Sequence, residues 1–498
     1  MTSNCCKEAF LSSAAAGRIL PVYAEIPFFE PALVYETLSP GRGGILLESV
    51  KGPPKIARYS FVVFDPYLCL KAKDGEVTVS STGASCAVSF RPPLDRLKDI
   101  IDAYPQKPEP GLPPFQGGAV GFLSYDFVRY LENIPRNATD DLNIPDAHFF
   151  IFDKLIAFDH LTCRAWVIIA PAARRMELGY GSLSAIDWEE AYEKAACELS
   201  AVTARLGAPC SSPAQSGAFE TGPAVLNYEM TKDRYMDIVG RTKEYIAAGD
   251  IFQANLSQRI SAPLGNRRPW DIYKTLRKIN PSPFAAYADF GDYLIVSSSP
   301  ERLVRVKGVT IDTRPIAGTR PRGKDLSEDA ALRTDLLLNE KERAEHIMLI
   351  DLERNDIGRV SEYGSVAVDE FMITEDYSHV IHIVSNVVSG LKKGKTCFDV
   401  IKAVFPGGTI TGVPKIRCME IIDELEPTAR GPYTGSLGYI GFSGDMDLNI
   451  IIRTFVIKDG RAYVQAGAGI VADSDPEREY YETLKKAEAL LKTLLKSP

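Results

Sequence analysis

Two pairs of glutamates, each pair spaced three residues apart, are the side chains of this 498-residue sequence best suited to bind a metal ion. They are Glu342 with Glu345 and Glu479 with Glu482. Residues three apart share one helix face, so each pair can direct two carboxylates to one point. Four carboxylates form an all-oxygen site typical of Mg²⁺, which keeps positions for water and substrate oxygens. The alternative is two solvated helix faces paired with neighbouring lysines.

A glycine-spaced segment precedes the second pair. Gly467, Ala468 and Gly469 begin a match to the dinucleotide-binding pattern G-x-G-x-x-A. No βαβ unit follows and the chain soon ends, so the match does not indicate a dinucleotide site. We interpret the segment as a turn whose backbone N–H groups approach a carboxylate closely.

Two other segments carry groups suited to an anionic, oxygen-rich ligand. The first, Thr313–Gly323, holds three arginines and the Thr319 hydroxyl, and is interpreted either as an anion-facing loop or as a stiff surface loop. The second, Phe405–Lys415, contains Thr409 and reads as a turn that opens a helix.

His382 and Arg453 both lie within apolar runs. A histidine there is often a core residue with one hydrogen bond, but in a carboxylate-rich pocket it can act as a general acid or base near neutral pH. Arg453 sits in a run predicted to be a strand, and a buried charge needs a partner. That partner is either a ligand carboxylate or an internal acid.

Composition excludes several classes of protein. The net charge of −8 offers no basic surface for nucleic acid, and no apolar run reaches membrane-spanning length. The nine cysteines form no C-x-x-C pair, which argues against a zinc site. The start of the chain lacks the features of a signal peptide. A cytoplasmic protein with reduced thiols is the simplest interpretation.

The length and the local patterns predict two regions joined by a linker. Residues 1–205 read as a strand-rich region, 206–225 as a linker rich in proline, glycine and serine, and 226–498 as the catalytic region. Thr231 and Gly249 are predicted to cap a helix, which a strand follows. Closely spaced strands at 435–442, 448–457 and 461–466 suggest an antiparallel meander.

These segments together resemble the chorismate-utilising enzymes, namely the large subunits of anthranilate synthase and aminodeoxychorismate synthase with their isochorismate and salicylate synthase relatives. The resemblance covers nearly the whole chain and is strongest from Asp250 to Lys486. Its motifs are Leu46–Ser49, Arg58–Phe61, Ser299–Arg302, Arg314–Gly323, Lys341–His346, Asp351–Gly358 and Val464–Lys486.

The resemblance implies an α+β fold of two packed antiparallel β-sheets flanked by helices. It implies that the four glutamates surround Mg²⁺, which holds the ring carboxylate of chorismate. The remaining site residues follow from the same resemblance: His382, Thr319 and Glu345 as catalytic groups, Thr409 and the Gly467–Gly469 backbone with Ala468 for carboxylate or ring oxygens, Tyr433 and Arg453 for the enolpyruvyl carboxylate, and Lys486 as added positive charge.

The resemblance also implies ammonia as the nucleophile. Isochorismate synthases place a water-activating lysine where this chain has Gln253, and glutamine cannot serve as a general base. The sequence has no glutaminase signature of its own. A separate glutamine amidotransferase subunit, component II, is therefore expected to supply the ammonia.

The product is predicted to be aminodeoxychorismate, with anthranilate as the alternative. Ala317 replaces the lysine that many aminodeoxychorismate synthases carry and resembles anthranilate synthases. Four other segments resemble aminodeoxychorismate synthases, and the tryptophan-feedback motif reads Pro-Ser-Pro-Phe-Ala at 281–285. A catalytically inactive regulatory protein is a further alternative, which turnover of chorismate with ammonium and Mg²⁺ would exclude.

Overall fold

The computed structural model describes residues 6–38, 41–81, 86–179, 183–207, 225–376 and 380–496. These residues form 24 strands and 11 α-helices. The strands are β1 (Val22–Ile26), β2 (Ile45–Glu48), β3 (Tyr59–Val63), β4 (Leu68–Lys73), β5 (Glu76–Ser81), β6 (Cys86–Ser89), β7 (Gly118–Leu123), β8 (Ala147–Phe152), β9 (Lys154–Asp159), β10 (Arg164–Ile169), β11 (Asn227–Tyr228), β12 (Gln253–Pro263), β13 (Phe284–Asp289), β14 (Tyr293–Ser299), β15 (Arg302–Lys307), β16 (Thr310–Thr313), β17 (Ile316–Pro321), β18 (Ala367–Asp376), β19 (Val380–Gly390), β20 (Gly412–Val413), β21 (Ser436–Gly441), β22 (Met446–Asn449), β23 (Thr454–Lys458) and β24 (Arg461–Ile470). The helices are α1 (Lys7–Ala15), α2 (Pro31–Leu38), α3 (Pro93–Asp102), α4 (Trp188–Gly207), α5 (Lys232–Ala248), α6 (Pro269–Ile279), α7 (Leu326–Leu338), α8 (Glu340–Gly358), α9 (Cys397–Val404), α10 (Lys415–Leu425) and α11 (Pro476–Lys496).

The strands form two antiparallel sheets of twelve strands each. The order of the first is β1-β10-β9-β3-β2-β13-β14-β23-β24-β12-β11, with β20 also paired to β12. The order of the second is β17-β19-β16-β15-β22-β21-β7-β8-β4-β5-β6, with β18 also paired to β19. The predicted fold class, two packed antiparallel sheets flanked by helices, is confirmed.

An aromatic core joins the two sheets. Phe61 and Trp166 of the first sheet share one buried cluster with Phe122, Phe150 and Tyr439 of the second. Because side chains alternate along a strand, the neighbouring residues point to the outer faces, where helices cover them. Two sheets buried on both faces explain why strands such as β8 and β9 read as continuous apolar runs.

Both sheets draw strands from both ends of the chain. Strand β2 pairs with β13, and β7 pairs with β21. The predicted linker at 206–225 separates strands that share these sheets, and residues 208–224 of it lie outside the described residues. The division into two regions stays a prediction.

Local patterns predicted some elements correctly. Thr231 caps α5 by accepting from the Arg234 N–H at 3.2 Å, and Gly249 ends it with φ +84°. The predicted strand at 448–457 is wrong, because residues 450–453 leave the strand conformation between β22 and β23. The predicted meander is wrong as well, since β21 and β22 belong to the second sheet and β23 and β24 to the first. Among the described residues, no helix is both long enough and apolar enough to cross a membrane.

Candidate active site

The predicted glycine turn is a continuous part of β24, where Gly467 and Gly469 lie opposite Ser257 and Asn255 of β12. The N–H groups of Ser257 and Asn255 donate to acceptors on the far side of β12. Opposed residues whose N–H groups turn away from the partner strand form the non-hydrogen-bonded pairs of an antiparallel ladder. The N–H groups of Gly467 and Gly469 therefore point away from β12, to the other edge of β24. Strand β23 pairs with β24 only as far as Val464, which leaves this edge without a described strand.

Lys486 brings a positive charge to this edge. Its Nζ donates to the Gly467 carbonyl at 3.0 Å and lies 2.8 Å from Glu482 Oε1. The backbone N–H and C=O groups of Ala468, which lies between the two glycines, point towards β12, because hydrogen-bonded and non-hydrogen-bonded pairs alternate along the ladder. Two backbone N–H groups beside an ammonium form a site suited to a carboxylate.

Side chains of β12 press against the two glycines. A Cβ at Gly467 would lie 2.4 Å from Asn255 Oδ1 and 2.9 Å from the Tyr433 hydroxyl. A Cβ at Gly469 would lie 2.4 Å from Gln253 Nε2. Among the described residues, Gln253 Oε1 and Asn255 Oδ1 are buried without a hydrogen-bond donor. Buried acceptors are rarely left in this state, so both oxygens are places where a ligand N–H or O–H would be stabilised.

Arg453 lies in the break between β22 and β23, with φ +53°, and not inside a strand as predicted. Its side chain forms no ion pair within the described part of the chain. Burial lowers the pKa of this guanidinium, and the neighbouring Tyr433 raises it. Tyr433 is itself buried, with 9% of its surface exposed. A desolvated cation beside a hydroxyl is suited to a ligand anion.

Thr409 lies in a short 3₁₀ turn, and its hydroxyl donates to Glu301 Oε1 at 3.0 Å. Glu301 is buried, and burial raises the pKa of its carboxyl to about 8. The Thr409 hydrogen bond and the charge of Lys486 lower this pKa, whereas Glu353 raises it. Glu301 is thus protonated at neutral pH and can donate a proton. From the sequence, Glu301 is recognisable only as part of the motif Ser299–Arg302, because its burial depends on residues distant in the chain.

His382 and Thr319 meet across the β17–β19 pair. The His382 Nδ1 lies 2.9 Å from Thr319 Oγ1 and 3.2 Å from the Gly318 carbonyl. A carbonyl only accepts, so Nδ1 carries the hydrogen and Nε2 is the basic nitrogen of the neutral ring. Burial lowers the pKa of His382 to about 4, the Gly318 carbonyl raises it and the charge of Arg453 lowers it. Gly318, with φ +63°, makes the bulge that brings these groups together.

The arginines of Thr313–Gly323 have acidic partners within the protein, which argues against the anion-facing loop, one of the two interpretations of this segment. Each pairs with an internal acid: Arg314 with Glu375, Arg320 with Asp335 and Arg322 with Asp329. Arg320 Nη1 also lies 3.1 Å from Glu342 Oε1. The segment contains all of β17, and its arginines fix it to α7 and β18.

The four glutamates lie on the first two turns of α8 and α11, on helices as the spacing predicts. Burial raises the pKa of Glu345, Lys341 lowers it, and the charges of the other three glutamates raise it. Burial also raises the pKa of Glu479, the Ser474 hydroxyl lowers it and the Glu482 charge raises it. The four carboxylates are therefore close enough to repel one another.

Their present partners are cations and donors of the protein. Glu342 faces Arg320, Glu482 faces Lys486, and Lys341 lies 3.9 Å from Glu345. Among the described residues, no three acids, histidines or cysteines lie close enough to coordinate one ion. The donor set nevertheless fits a hard divalent cation, because four oxygen ligands repelling one another would be stabilised by its charge.

Comparison with known proteins adds four likenesses. The family described as chorismate binding enzyme matches residues 46–492. Aminodeoxychorismate synthase component 1 of Bacillus subtilis is 46% identical over 477 residues, covering 95% of this chain and 97% of that protein. Anthranilate synthase component 1 of Thermus thermophilus is 46% identical over 449 residues, covering 90% and 91%. The crystal structure of anthranilate synthase component I from Streptococcus pneumoniae superposes with a TM-score of 0.75 at 39% identity, covering 87% of this chain and 92% of that one.

Proposed function

We propose, on the premise that this chain belongs to the chorismate binding enzyme family, that it aminates chorismate to aminodeoxychorismate. The observation that carries the amination is the pair of buried oxygens, Gln253 Oε1 and Asn255 Oδ1, that lack a donor. Ammonia offers three N–H donors, and a carboxamide oxygen can accept from it without removing a proton. A nucleophilic water would need a base at this place, and glutamine is not one.

The residues around these oxygens have roles in the same scheme. The ring carboxylate lies between the N–H groups of Gly467 and Gly469 and the Lys486 ammonium. Arg453 and Tyr433 hold the enolpyruvyl carboxylate. Thr409 binds a ring oxygen and keeps the Glu301 carboxyl in place.

Proton transfer is assigned to two groups whose pKa values are displaced in opposite directions. With Ala317 in place of a lysine, water or ammonia first adds at C2 and gives a proton to His382 Nε2, which is neutral at pH 7. In this step the ring double bonds shift and the C4 hydroxyl leaves as water with the Glu301 proton. Ammonia then adds at C4, the double bonds shift back, and the C2 group leaves with the proton held by His382. The new ammonium group returns a proton to the Glu301 carboxylate, which restores both groups.

A Mg²⁺ ion held by Glu342, Glu345, Glu479 and Glu482 would supply the positive charge that neutralises the ring carboxylate. The mutual repulsion that raises the pKa of Glu345 and Glu479 supports this assignment. We expect millimolar Mg²⁺ to raise the melting temperature of the protein, and Glu482→Gln to abolish the increase. An unchanged response in that variant would remove these glutamates from the metal site.

The ammonia source is proposed to be a glutamine amidotransferase subunit. Both component 1 relatives carry a name that implies a second component. The purified chain should turn over chorismate with ammonium and not with glutamine. Glutamine-dependent turnover by this polypeptide alone would contradict the proposal.

Anthranilate is the second candidate product, and Ala317 favours it. Without a lysine on β17, direct attack of ammonia at C2 gives 2-amino-2-deoxyisochorismate, from which pyruvate is eliminated. Chromatography of the reaction with ammonium separates the two products. Anthranilate fluorescence from the unmodified chain would establish the second candidate, whereas an Ala317→Lys variant that keeps aminodeoxychorismate as its product would support the first.

The altered feedback segment supports the first candidate. Pro283, Phe284 and Ala285 line a cavity of about 190 Å³ with Ser49 from the end of β2. Phenylalanine and alanine stand there where anthranilate synthases usually carry tyrosine and methionine. Inhibition of turnover by tryptophan would shift the assignment to anthranilate synthase.

We place the protein in the cytoplasm. Cys69, Cys163, Cys197, Cys397 and Cys418 are free thiols, a state typical of a reducing compartment. Fractionation of cells with an antibody to the chain tests this placement, and recovery in a secreted fraction would contradict it.

A further inference from the structure

Arg430 lies behind the candidate active site with only 1% of its side chain exposed. Its guanidinium forms two bonds to Glu426, at 2.9 and 2.7 Å. It also donates to the Ile410 carbonyl at 3.1 Å, to the Asn255 carbonyl at 2.6 Å and to Thr434 Oγ1 at 3.4 Å. A guanidinium has five N–H donors in a fixed plane, and these five contacts match them in number.

The two carbonyls and the Tyr433 ring that Arg430 contacts belong to residues of the candidate site or adjoin them. Ile410 follows Thr409, and Asn255 presses on Gly467. The guanidinium carbon lies 5.7 Å from the centre of the Tyr433 ring and 4.7 Å from that of Tyr125 on the opposite segment. These groups come from four parts of the chain that do not share a secondary-structure element.

The loop that carries Tyr433 needs such support. Thr434 has φ +59°, a conformation that is unfavourable for a β-branched residue. The Thr434 N–H donates to the Ile451 carbonyl at 2.8 Å, and the Gly431 N–H donates to Asp126 Oδ2 at 2.8 Å. The strained residue directly follows Tyr433, so the position of the Tyr433 hydroxyl depends on these contacts.

We propose that Arg430 is a positioning residue, which sets the Tyr433 hydroxyl, the Thr409 turn and the Asn255 side chain at the spacing that the substrate requires. It touches no substrate itself and acts through these three groups. The inference rests on the proposed function for the roles of Tyr433 and Thr409. Glu426 completes the arrangement, since its Oε1 also accepts from the Ser257 N–H at 2.7 Å and fixes β12.

Arg430→Lys tests this role, because lysine keeps the charge beside Glu426 but cannot donate in five directions or stack on Tyr433. We expect kcat/KM for chorismate to fall about 100-fold, mostly through KM. Arg259→Lys is the matched control: Arg259 is equally buried, pairs with Glu229 and Asp141, and adjoins the Tyr463 ring. It should lose similar thermal stability while kcat/KM changes less than about threefold.

A double-mutant cycle with Tyr433→Phe separates positioning from general destabilisation. If Arg430 acts through Tyr433, the double variant should be little worse than Arg430→Lys alone. Losses that multiply would overturn the inference, and so would an Arg430→Lys crystal structure with the Tyr433 hydroxyl still beside Gly467. Should Arg430→Lys fail to fold, Glu426→Gln takes its place in the same cycle.

The crystal structure also separates this inference from the proposed function. Absence of chorismate turnover by the unmodified protein would refute the proposed function. A displaced Tyr433 in the variant would still support positioning, and an undisplaced one would still refute it.

Discussion

The candidate site has an inner wall and an outer rim that differ in how their side chains are held. The inner wall, consisting of Gly467, Gly469, Tyr433, Arg453 and Glu301, is formed by strands and a braced loop. Its groups are mostly buried, and Arg453 forms no ion pair among the described residues. The outer rim carries the four glutamates, whose side chains are partly exposed and lie beside lysines, an arginine or a serine hydroxyl.

This difference indicates how each region meets a ligand. Wall groups are already desolvated and oriented, so binding there costs little reorganisation. To bind the proposed Mg²⁺, the rim glutamates must exchange a cation of the protein for one from solution. The wall should therefore set which molecule binds, whereas the rim should make binding depend on the metal.

The largest effect is expected at the rim. Glu345→Gln removes one carboxylate from the proposed Mg²⁺ site, and we expect kcat to fall about 100- to 1,000-fold. Glu488→Gln on α11 is the control, because within the described part of the chain Glu488 pairs only with the surface lysines Lys485 and Lys492. Steady-state turnover with ammonium measures both variants. A Glu345→Gln variant of normal activity, or wild-type activity after exhaustive chelation, would contradict the role of the rim.

The wall should be most sensitive to added volume. Gly467→Ala places a methyl group 2.4 Å from Asn255 Oδ1 and 2.8 Å from the Leu256 carbonyl, and backbone cannot move away cheaply. We expect a loss of about 1–3 kcal/mol in the free energy of unfolding, measured in urea. In Gly240→Ala, where no atom lies within 4 Å in the middle of α5, stability should instead rise by about 0.4–1 kcal/mol.

The pH dependence of stability and of kcat/KM should reflect the protonation of Glu301 in the inner wall. Burial raises its pKa from an ordinary value of 4.5 to about 8, so the folded protein keeps a proton that the unfolded chain releases. The resulting stability is complete below pH 4.5 and is lost as the pH rises through about 8. As the proton donor, Glu301 should also make kcat/KM fall about tenfold per unit of pH above that value.

The dependence of kcat/KM on pH in Glu301→Gln checks this assignment. The activity that remains should no longer fall at alkaline pH, which means that the alkaline limb of the profile is lost. Glu353 is the control: burial raises its pKa to about 7, but it lies behind the site against Thr313. Glu353→Gln should change the pH dependence of stability and keep the alkaline limb of activity, moved to lower pH because the Glu353 charge raises the pKa of Glu301. If kcat/KM of Glu301→Gln still falls at alkaline pH, the proton comes from another group.

The smallest effects are expected for Thr319 and Thr409, the two threonines of the candidate site. Thr319 is exposed and contacts His382 Nδ1, which also donates to the Gly318 carbonyl, so Thr319→Val should lower kcat only about threefold to tenfold. Thr409→Val should cost more and should move the alkaline limb upward, because the Thr409 hydroxyl lowers the pKa of Glu301. Equal losses of kcat in the two variants, without a shift of the alkaline limb, would contradict the effect of Thr409 on Glu301.

Local signals predicted the elements and residues whose structure depends on near neighbours. Thr231 and Gly249 marked the ends of α5, and the three-residue spacing placed both glutamate pairs on helix faces. The break at Arg453 was missed because the apolar run is continuous, while the contacts that hold the break come from β14 and from the loop before β21. The same reason applies to Glu301, because burial and the distant Glu353 raise its pKa while the equally distant Thr409 lowers it.

The interleaving of early and late strands has a consequence for how the protein is made. Strand β7 lies in the middle of the second sheet, yet its partner β21 follows about 300 residues later, a delay of roughly 15–60 s at ordinary rates of translation. During that time a fully apolar strand has one edge unpaired on the ribosome. Chaperones that cover such edges should therefore bind nascent chains of this protein, and a fragment that stops before residue 436 should aggregate when expressed alone.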